Sequence, residues 1–462
     1  MASLAALAQA PRADAHDQNA LVGGTVVDAL KGAPIRDGVI LVEDGRITAV
    51  GSMDTLEPPE GHHVISTEGM TVLPGLWDMH VHLMITGHAD YAHWHPTYKD
   101  RFATEIMPAS AEQLLLAGIT AARDLGAPLE DSVKVKKGLA DGDIHGPRVF
   151  FSGPFIQHEP YPGTEAYRWG VDGPEDARTK VTTIADAGMD IIKLIDQDEM
   201  TEAEIEAVIE TAHARGLPVV GHSHRPDEIR LGLKYGVDNF EHTGLATAPE
   251  YPADVMAAIK ERTAQMNRGP FFWTPTVEGL WNYTYVRENN EHLDKDCWKR
   301  GLKPDTIADI QASIQKPERL GYFQITPARQ PTLKRKVHQL RDAGVVLLIG
   351  TDSGIPLKFH CQSTWNEIDV WTRVMDIPVM EAIRAATYWP AVMMGVDADM
   401  GSLTEGKFAD IIAVEGDVLR YPALLQRVDF VMKGGVIYKQ DGEPVEAALK
   451  RGGDWAAAAA DE

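Results

Sequence analysis

Eight short apolar runs, each followed by a stretch of helical composition, recur between residues 71 and 353 and limit the folds open to this chain more than any other feature. They are TVLPGLWDMHVHL (71–83), ITAARDLG (119–126), RVFFSGPF (148–155), DIIKLID (190–196), LPVVGHSH (217–224), DNFEHT (238–243), FFWTPT (271–276) and VVLLIGTDS (345–353). Short strands alternating with helices are the pattern of parallel βα units. EAEIEAVIETAHARG (202–216) and PDEIRLGLKYG (226–236) are amphipathic helix candidates, and Thr201 with Glu204 has the spacing of a capping box. Eight such units over roughly 300 residues predict an α/β chain built on a (β/α)8 TIM barrel.

Both chain ends have a different texture. ALVGGTVVD and GVILVEDGRITAVG are Val- and Ile-rich, with a hairpin signal at Glu43-Asp44-Gly45. GSLTEGKFADIIAVEGD and RVDFVMKGGVIYKQDGE read the same way, after a helix over 378–396 that is interrupted near Pro390. The expected organisation is a loose leader (1–18), a small β-sandwich domain built from 19–70 and 397–447, a barrel over 71–396, and a loose tail (448–462). An insert at 277–330 interrupts the barrel and carries WNYTYVRENN, KDCWKRG and LGYFQITPARQ. Long excursions of this kind serve as lids or oligomer contacts, or simply pack their aromatics, and a homo-oligomer is expected.

Composition narrows the partners. A net charge of −24 argues against nucleic acid and anionic membrane and leaves a small-molecule substrate. No apolar run is long enough for a membrane span, and the Ala-rich start lacks the basic region of a secretion signal. The two cysteines, Cys297 and Cys361, imply no disulfide framework and fit a reducing, cytoplasmic setting, although a single bridge stays open.

Barrel enzymes keep their chemistry at the C-terminal ends of the strands. His80 and His82 end the first run, and in a strand residues i and i+2 share a face, so two imidazoles can aim at one ion. Lys193 lies in the fourth run, His222 and His224 end the fifth, His242 the sixth and Asp352 the eighth. Singly, each has a plainer reading: a satisfied core histidine, a loop-capping aspartate, a lysine whose head reaches solvent. Together at strand ends they point to a metal site. An ammonium cannot bind a metal, but desolvation lowers a lysine pKa and makes it a nucleophile. Reaction with CO2 would turn Lys193 into a carbamate able to bridge two cations.

In this order of residues, and in PGLWDMHVHL, GITAARDLG, GHSH, NFEHTG, GTDSGIP and GSLTEGKFADIIAVEGD, almost the whole chain resembles the metal-dependent amidohydrolase superfamily. More narrowly it resembles the imidazolonepropionase-related and Xaa-Pro dipeptidase-like branch. The resemblance implies two divalent ions, zinc first with cobalt or manganese as substitutes. It implies His80 and His82 on the more buried ion, carbamylated Lys193 as the bridge, and His222 and His242 on the second ion. It also implies Asp352 as both ligand and general base, with Asp78 as a supporting partner of the histidines. His222 is preferred to His224 on the family's spacing between the fifth- and sixth-strand ligands. His158, His224 and His360 are left as substrate contacts.

The implied reaction is hydrolysis of an amide, urea or carbamate-type C–N bond by metal-activated hydroxide, with Asp352 taking and returning the proton. Alternatives are a dipeptidase or N-acyl amino acid hydrolase, a xenobiotic urea or thiocarbamate hydrolase, and a barrel-fold binding protein without chemistry. One departure matters: dipeptidase relatives carry a Gly-rich insert after the lysine strand, whereas LIDQDEMTEAEI runs straight into a helix. Deaminases of the same fold use a glutamate beside the fifth-strand histidine, and GHSHR offers none.

Overall fold

A computed structural model describes residues 18–30, 32–243, 247–279, 295–315 and 321–452. Strands from both chain ends form one nine-stranded sheet. Its N-terminal members are β1 (Gln18–Val26), β2 (Ile35–Glu43), β3 (Arg46–Ser52), β4 (His63–Ser66) and β5 (Met70–Pro74). β1 pairs antiparallel with β2, and β2 with β3 through the predicted turn, where Asp44 and Gly45 both have positive φ.

β5 passes directly into β6 (Leu76–Val81), the first strand of the parallel βα units, with Gly75 alone between them. A Cβ on Gly75 would lie 2.1 Å from Thr120 Oγ1, so the Pro-Gly break admits only glycine where the chain crosses from sheet to barrel.

A strand lies within each of the eight runs foreseen from the sequence. β6, β7 (Ile119–Asp124) and β8 (Arg148–Phe151) form one parallel arc. The third run does not continue as one strand. It breaks at Ser152-Gly153-Pro154, where Gly153 is left-handed, and resumes as β9 (Phe155–Gln157). β9 joins β10 (Arg168–Gly170), β11 (Ile192–Leu194), β12 (Val219–His222), β13 (Asn239–Glu241), β14 (Phe272–Thr274) and β15 (Val346–Leu347) in a second arc of seven. At the far edge Met79 N donates to Ile349 O at 2.9 Å and His82 N to Ser353 O at 2.9 Å.

β16 (Ile411–Glu415), β17 (Phe430–Lys433), β18 (Val436–Gln440) and β19 (Glu443–Pro444) complete the nine-stranded sheet. β16 lies antiparallel on β5, Ile411 opposite Pro74.

The helices follow their local signals. Thr201 and Glu204 make both bonds of the capping box and start helix Glu202–Ala214. The segment 378–396 forms two helices, Val379–Ala385 and Tyr388–Met393. The break falls at Ala386-Thr387 and not at Pro390. Pro390 sits in the first turn of the second helix, where its missing N–H is one the helix leaves unbonded anyway. Within the insert, Cys297–Lys299 is a 3-10 turn, Pro304–Ser313 is a helix, and helix Gly321–Asp342 runs beyond the expected end of the insert and stops before β15. WNYTYVRENN, most of the leader and most of the tail lie outside the described residues.

Cys297 and Cys361 form a disulfide, the bridge that composition left open and one that a reducing compartment disfavours. Trp298 stacks on Phe359 beside it, ring centroids 4.8 Å apart. No helix among the described residues is long and apolar enough to cross a membrane.

Candidate metal centre

Inside the arcs an apolar layer lies below a polar one. Trp77, Ala121, Phe150, Ile191, Val220 and Phe272 belong to one buried cluster. Two residues along the same strands, and so on the same face, come Arg123, Lys193, His222 and Thr274. Period-two alternation thus carries the strands of Ala121, Ile191, Val220 and Phe272 from core packing to the polar groups of the site.

His80 and His82 converge as expected, their Nε2 atoms 3.3 Å apart. That is the spacing of two ligands on one ion with bonds of about 2 Å. Asp352 Oδ1 lies 3.1 Å from His82 Nε2 and 3.4 Å from His80 Nε2. The His242 ring is 4.9 Å from that of His80 and 4.8 Å from that of His222. His224 stacks on His242 at 4.7 Å. Two ligand groups result, His80–His242–Asp352 and His222–His224–His242, each with its atoms within 4.8 Å of one another. This geometry alone does not rank His222 above His224.

Lys193 is fully buried, and its Nζ has no hydrogen-bond partner among the described residues. Burial pulls its pKa down to about 8, with Glu241 acting against the shift. Its charge reaches His80, His222, His224 and His242. Burial drives His80, His222 and His242 well below the ordinary imidazole range, so all three are neutral donors of the kind metals need. Burial pushes the Asp352 carboxyl up, but His80 and His82 outweigh it and leave it at about 2. A cluster of neutral imidazoles, one ionised carboxylate and an orphaned lysine nitrogen fits divalent cations.

Backbone strain marks the same residues. His242 and Asp352 have φ of 72° and 61°, in the left-handed region that few residues other than glycine enter. Gly350 allows the turn before Asp352, since a Cβ there would stand 2.3 Å from Thr274 Cγ2 and 2.9 Å from His80 N.

The sequence reading missed the groups that aim the imidazoles. Glu241 Oε2 accepts from His80 Nδ1 at 2.8 Å, and Glu241 Oε1 accepts from Arg123 at 2.7 Å, all three side chains being fully buried. The bond to Nδ1 leaves His80 Nε2 facing His82 and Asp352. Thr276 Oγ1 does the same for His242, 2.8 Å from its Nδ1. A glutamate inside NFEH and an arginine inside ITAARD were the available signals, both charged groups in apolar runs. Asp78 supports backbone and not a ring: it accepts from His80 N (3.2 Å), Thr351 N (3.0 Å), Thr351 Oγ1 (2.7 Å) and Thr364 Oγ1 (2.8 Å). Glu228, six residues after His222, also comes within ligand reach of it.

Two expected substrate contacts stand apart. Both His360 nitrogens are engaged by Ser353 Oγ (2.9 Å) and Ile85 O (3.1 Å). His158 is half-exposed beside Glu204 and does not line the cavity over the site. That cavity is walled by Phe155, Tyr167 and Ile355, with Arg168, Arg329 and Lys358 as its cations. The aromatic insert expected there, WNYTYVRENN, lies outside the described residues.

Residues 71–439 match the amidohydrolase family. An imidazolonepropionase of Caulobacter vibrioides is 25% identical over 439 residues, covering 86% of this chain and 94% of its own. A solved Xaa-Pro dipeptidase with bound methionine in its active site superposes with a TM-score of 0.70 at 21% identity, covering 91% of this chain and 100% of that one. Phenylurea hydrolase B superposes with a TM-score of 0.72 at 18% identity, covering 94% and 98%.

Proposed function

The chain belongs to the amidohydrolase family and is a hydrolase of carbon–nitrogen bonds, and from that premise we propose a metal-dependent amide hydrolase whose substrate carries a carboxylate. The observation that supports the metal reading is the convergence of His80, His82, His242 and Asp352 above the unpartnered Lys193 nitrogen. The proposed architecture is a closed barrel over 71–396, with 19–70 and 397–447 as its accessory domain.

His80, His82 and Asp352 would hold one divalent ion, and His222 and His242 a second. Zinc suits this donor set, with cobalt or manganese able to replace it. As a carbamate, formed when its neutral amine attacks the carbon of CO2 and one proton leaves, Lys193 would supply a further anionic ligand to this site. The ions supply Lewis acidity, acidifying water and polarising the substrate carbonyl. Asp352 takes the proton from the attacking water and returns it to the leaving nitrogen. Glu241 and Thr276 keep the His80 and His242 rings aimed while this happens.

Arg168 and Arg329 set the substrate class. Both line the cavity, and their charges reach His222 and His224 respectively. An arginine fork matches a carboxylate, so an N-acyl amino acid or dipeptide fits better than a neutral aryl urea. The aromatic and aliphatic wall receives the side chain or acyl group.

The test is a hydrolysis screen over N-acyl amino acids, dipeptides and aryl ureas, after chelation and after refilling with zinc, cobalt or manganese. Activity is expected to vanish with chelation, return with metal, and favour the free acid over its methyl ester. Arg168→Ala is expected to lower kcat/KM for the acid by about 10- to 100-fold, the worth of a charged hydrogen bond, and to leave the ester nearly unchanged. Chelator-resistant turnover defeats the metal reading, and equal rates on acid and ester defeat the carboxylate reading.

A further inference from the structure

One peptide group, between Thr351 and Asp352, sets the backbone of Asp352. Its N–H donates to His80 O at 2.7 Å, and its C=O accepts from the Lys358 ammonium. We infer that Lys358 is a positioning residue, a role that rests on the proton transfer proposed for Asp352. It clamps this peptide from the carbonyl side and so keeps Asp352 in the left-handed conformation that aims its carboxylate at His80 and His82.

The conformation needs a clamp. A φ of 61° at a residue other than glycine persists only where the surroundings over-determine it. The peptide unit is planar, so turning it changes the φ of Asp352 directly and swings the carboxylate with it. The other polar groups of Thr351 are already held by Asp78, which accepts from its N–H at 3.0 Å and from its hydroxyl at 2.7 Å. The carbonyl is the remaining handle on the peptide, and Lys358 takes it.

Lys358 is itself fixed at both ends. Its side chain is 3% exposed, and Nζ lies 3.0 Å from Oε2 of the equally buried Glu278. Burial opposes the charge on Lys358, but Glu278 outweighs it and raises the pKa, so the group stays an ammonium. Glu278 is held in turn: its Oε1 accepts from Asn366 at 3.1 Å, and its backbone N–H donates to Glu367 at 2.6 Å. Gly279 leaves room for the lysine stem, since a Cβ there would stand 2.7 Å from Nζ and 2.9 Å from Cδ. At the backbone, Lys358 O accepts from Gly354 N at 2.8 Å, and Leu357 N donates to Gly87 O at 2.9 Å. The Cys297–Cys361 disulfide closes the same loop three residues further on.

Lys358 also lines the cavity, so the competing role is to bind the substrate carboxylate. Its head is directed instead at two protein groups, Thr351 O and Glu278.

Removing Lys358 alone would leave Glu278 as an uncompensated buried charge, so the variant tested is Lys358→Met combined with Glu278→Gln. Full-length parent and double variant are compared by crystal structure and by steady-state kinetics on an N-acyl amino acid and its methyl ester. In the variant crystal Asp352 is expected to leave the left-handed region, its carboxylate displaced by about 1 Å or more from His82. A misplacement of that size is expected to lower kcat by about 10- to 100-fold on acid and ester alike, with KM within about threefold of the parent. An unmoved Asp352 in the crystal overturns the clamp whatever the activity. A rise in KM confined to the acid also overturns it and makes Lys358 a carboxylate-binding group. A parent that hydrolyses no amide, or that ignores a chelator, defeats the metal-hydrolase reading instead, and the crystallographic comparison still decides the clamp.

Discussion

Asp352→Asn is expected to lower kcat by about 10²- to 10⁴-fold, the range that a positioned general base contributes, with the bound metal largely retained. Asparagine is nearly isosteric with aspartate and is among the few residues that enter the left-handed region readily, so the φ of 61° survives. What it loses is the ability to accept and return a proton. The imidazoles of His80 and His82 still surround the position, 3.4 and 3.1 Å from the aspartate oxygen, so ion binding weakens less than turnover. Steady-state rates and metal content on the same preparation separate the outcomes. An active variant removes Asp352 from the chemistry. A variant that is inactive and empty makes it chiefly a ligand.

Glu241→Gln is expected to destabilise the fold by about 3–5 kcal/mol, because it leaves Arg123 as an uncompensated buried charge. The Arg123–Glu241–His80 chain is fully enclosed, with Asn239 Oδ1 2.9 Å from the same guanidinium nitrogen. The change is also expected to weaken metal binding by about 10- to 100-fold, since the carboxylate no longer fixes the His80 tautomer. Urea unfolding reads the first effect, and competition with a chromogenic chelator reads the second. Parental stability together with parental metal affinity would show that the chain of three does neither job.

The positions of the proposed site were legible because they obey a local rule. Strand period and strand ends point to His80, His82, Lys193, His222, His242 and Asp352, and each lies on or beyond the end of a strand within a run the sequence predicts. The supporting groups were not legible, because their partners lie far away in the chain. Glu241 meets Arg123 across 118 residues and His80 across 161. NFEH reads as a strand bearing one ligand, yet the positive φ of His242 turns the backbone there and lets two adjacent residues, Glu241 and His242, serve the same site. The break of the third strand at Ser152-Gly153-Pro154 was visible as residues but not as a break, because an apolar run flanks it on both sides.

The pairing of β5 with β16 has a consequence for how the chain is made. Pro74 and Ile411 are opposite one another in the sheet yet 337 residues apart, 411 − 74. At about 5–20 residues per second, the β5 edge leaves the ribosome about 20 to 70 s before its partner exists. Through that interval the strand that runs into His80 through Gly75 presents an unpaired edge. Translation that stops short of residue 411 leaves β5, the strand that leads into the first histidine strand, without its β16 partner, however much of the parallel arcs has already formed.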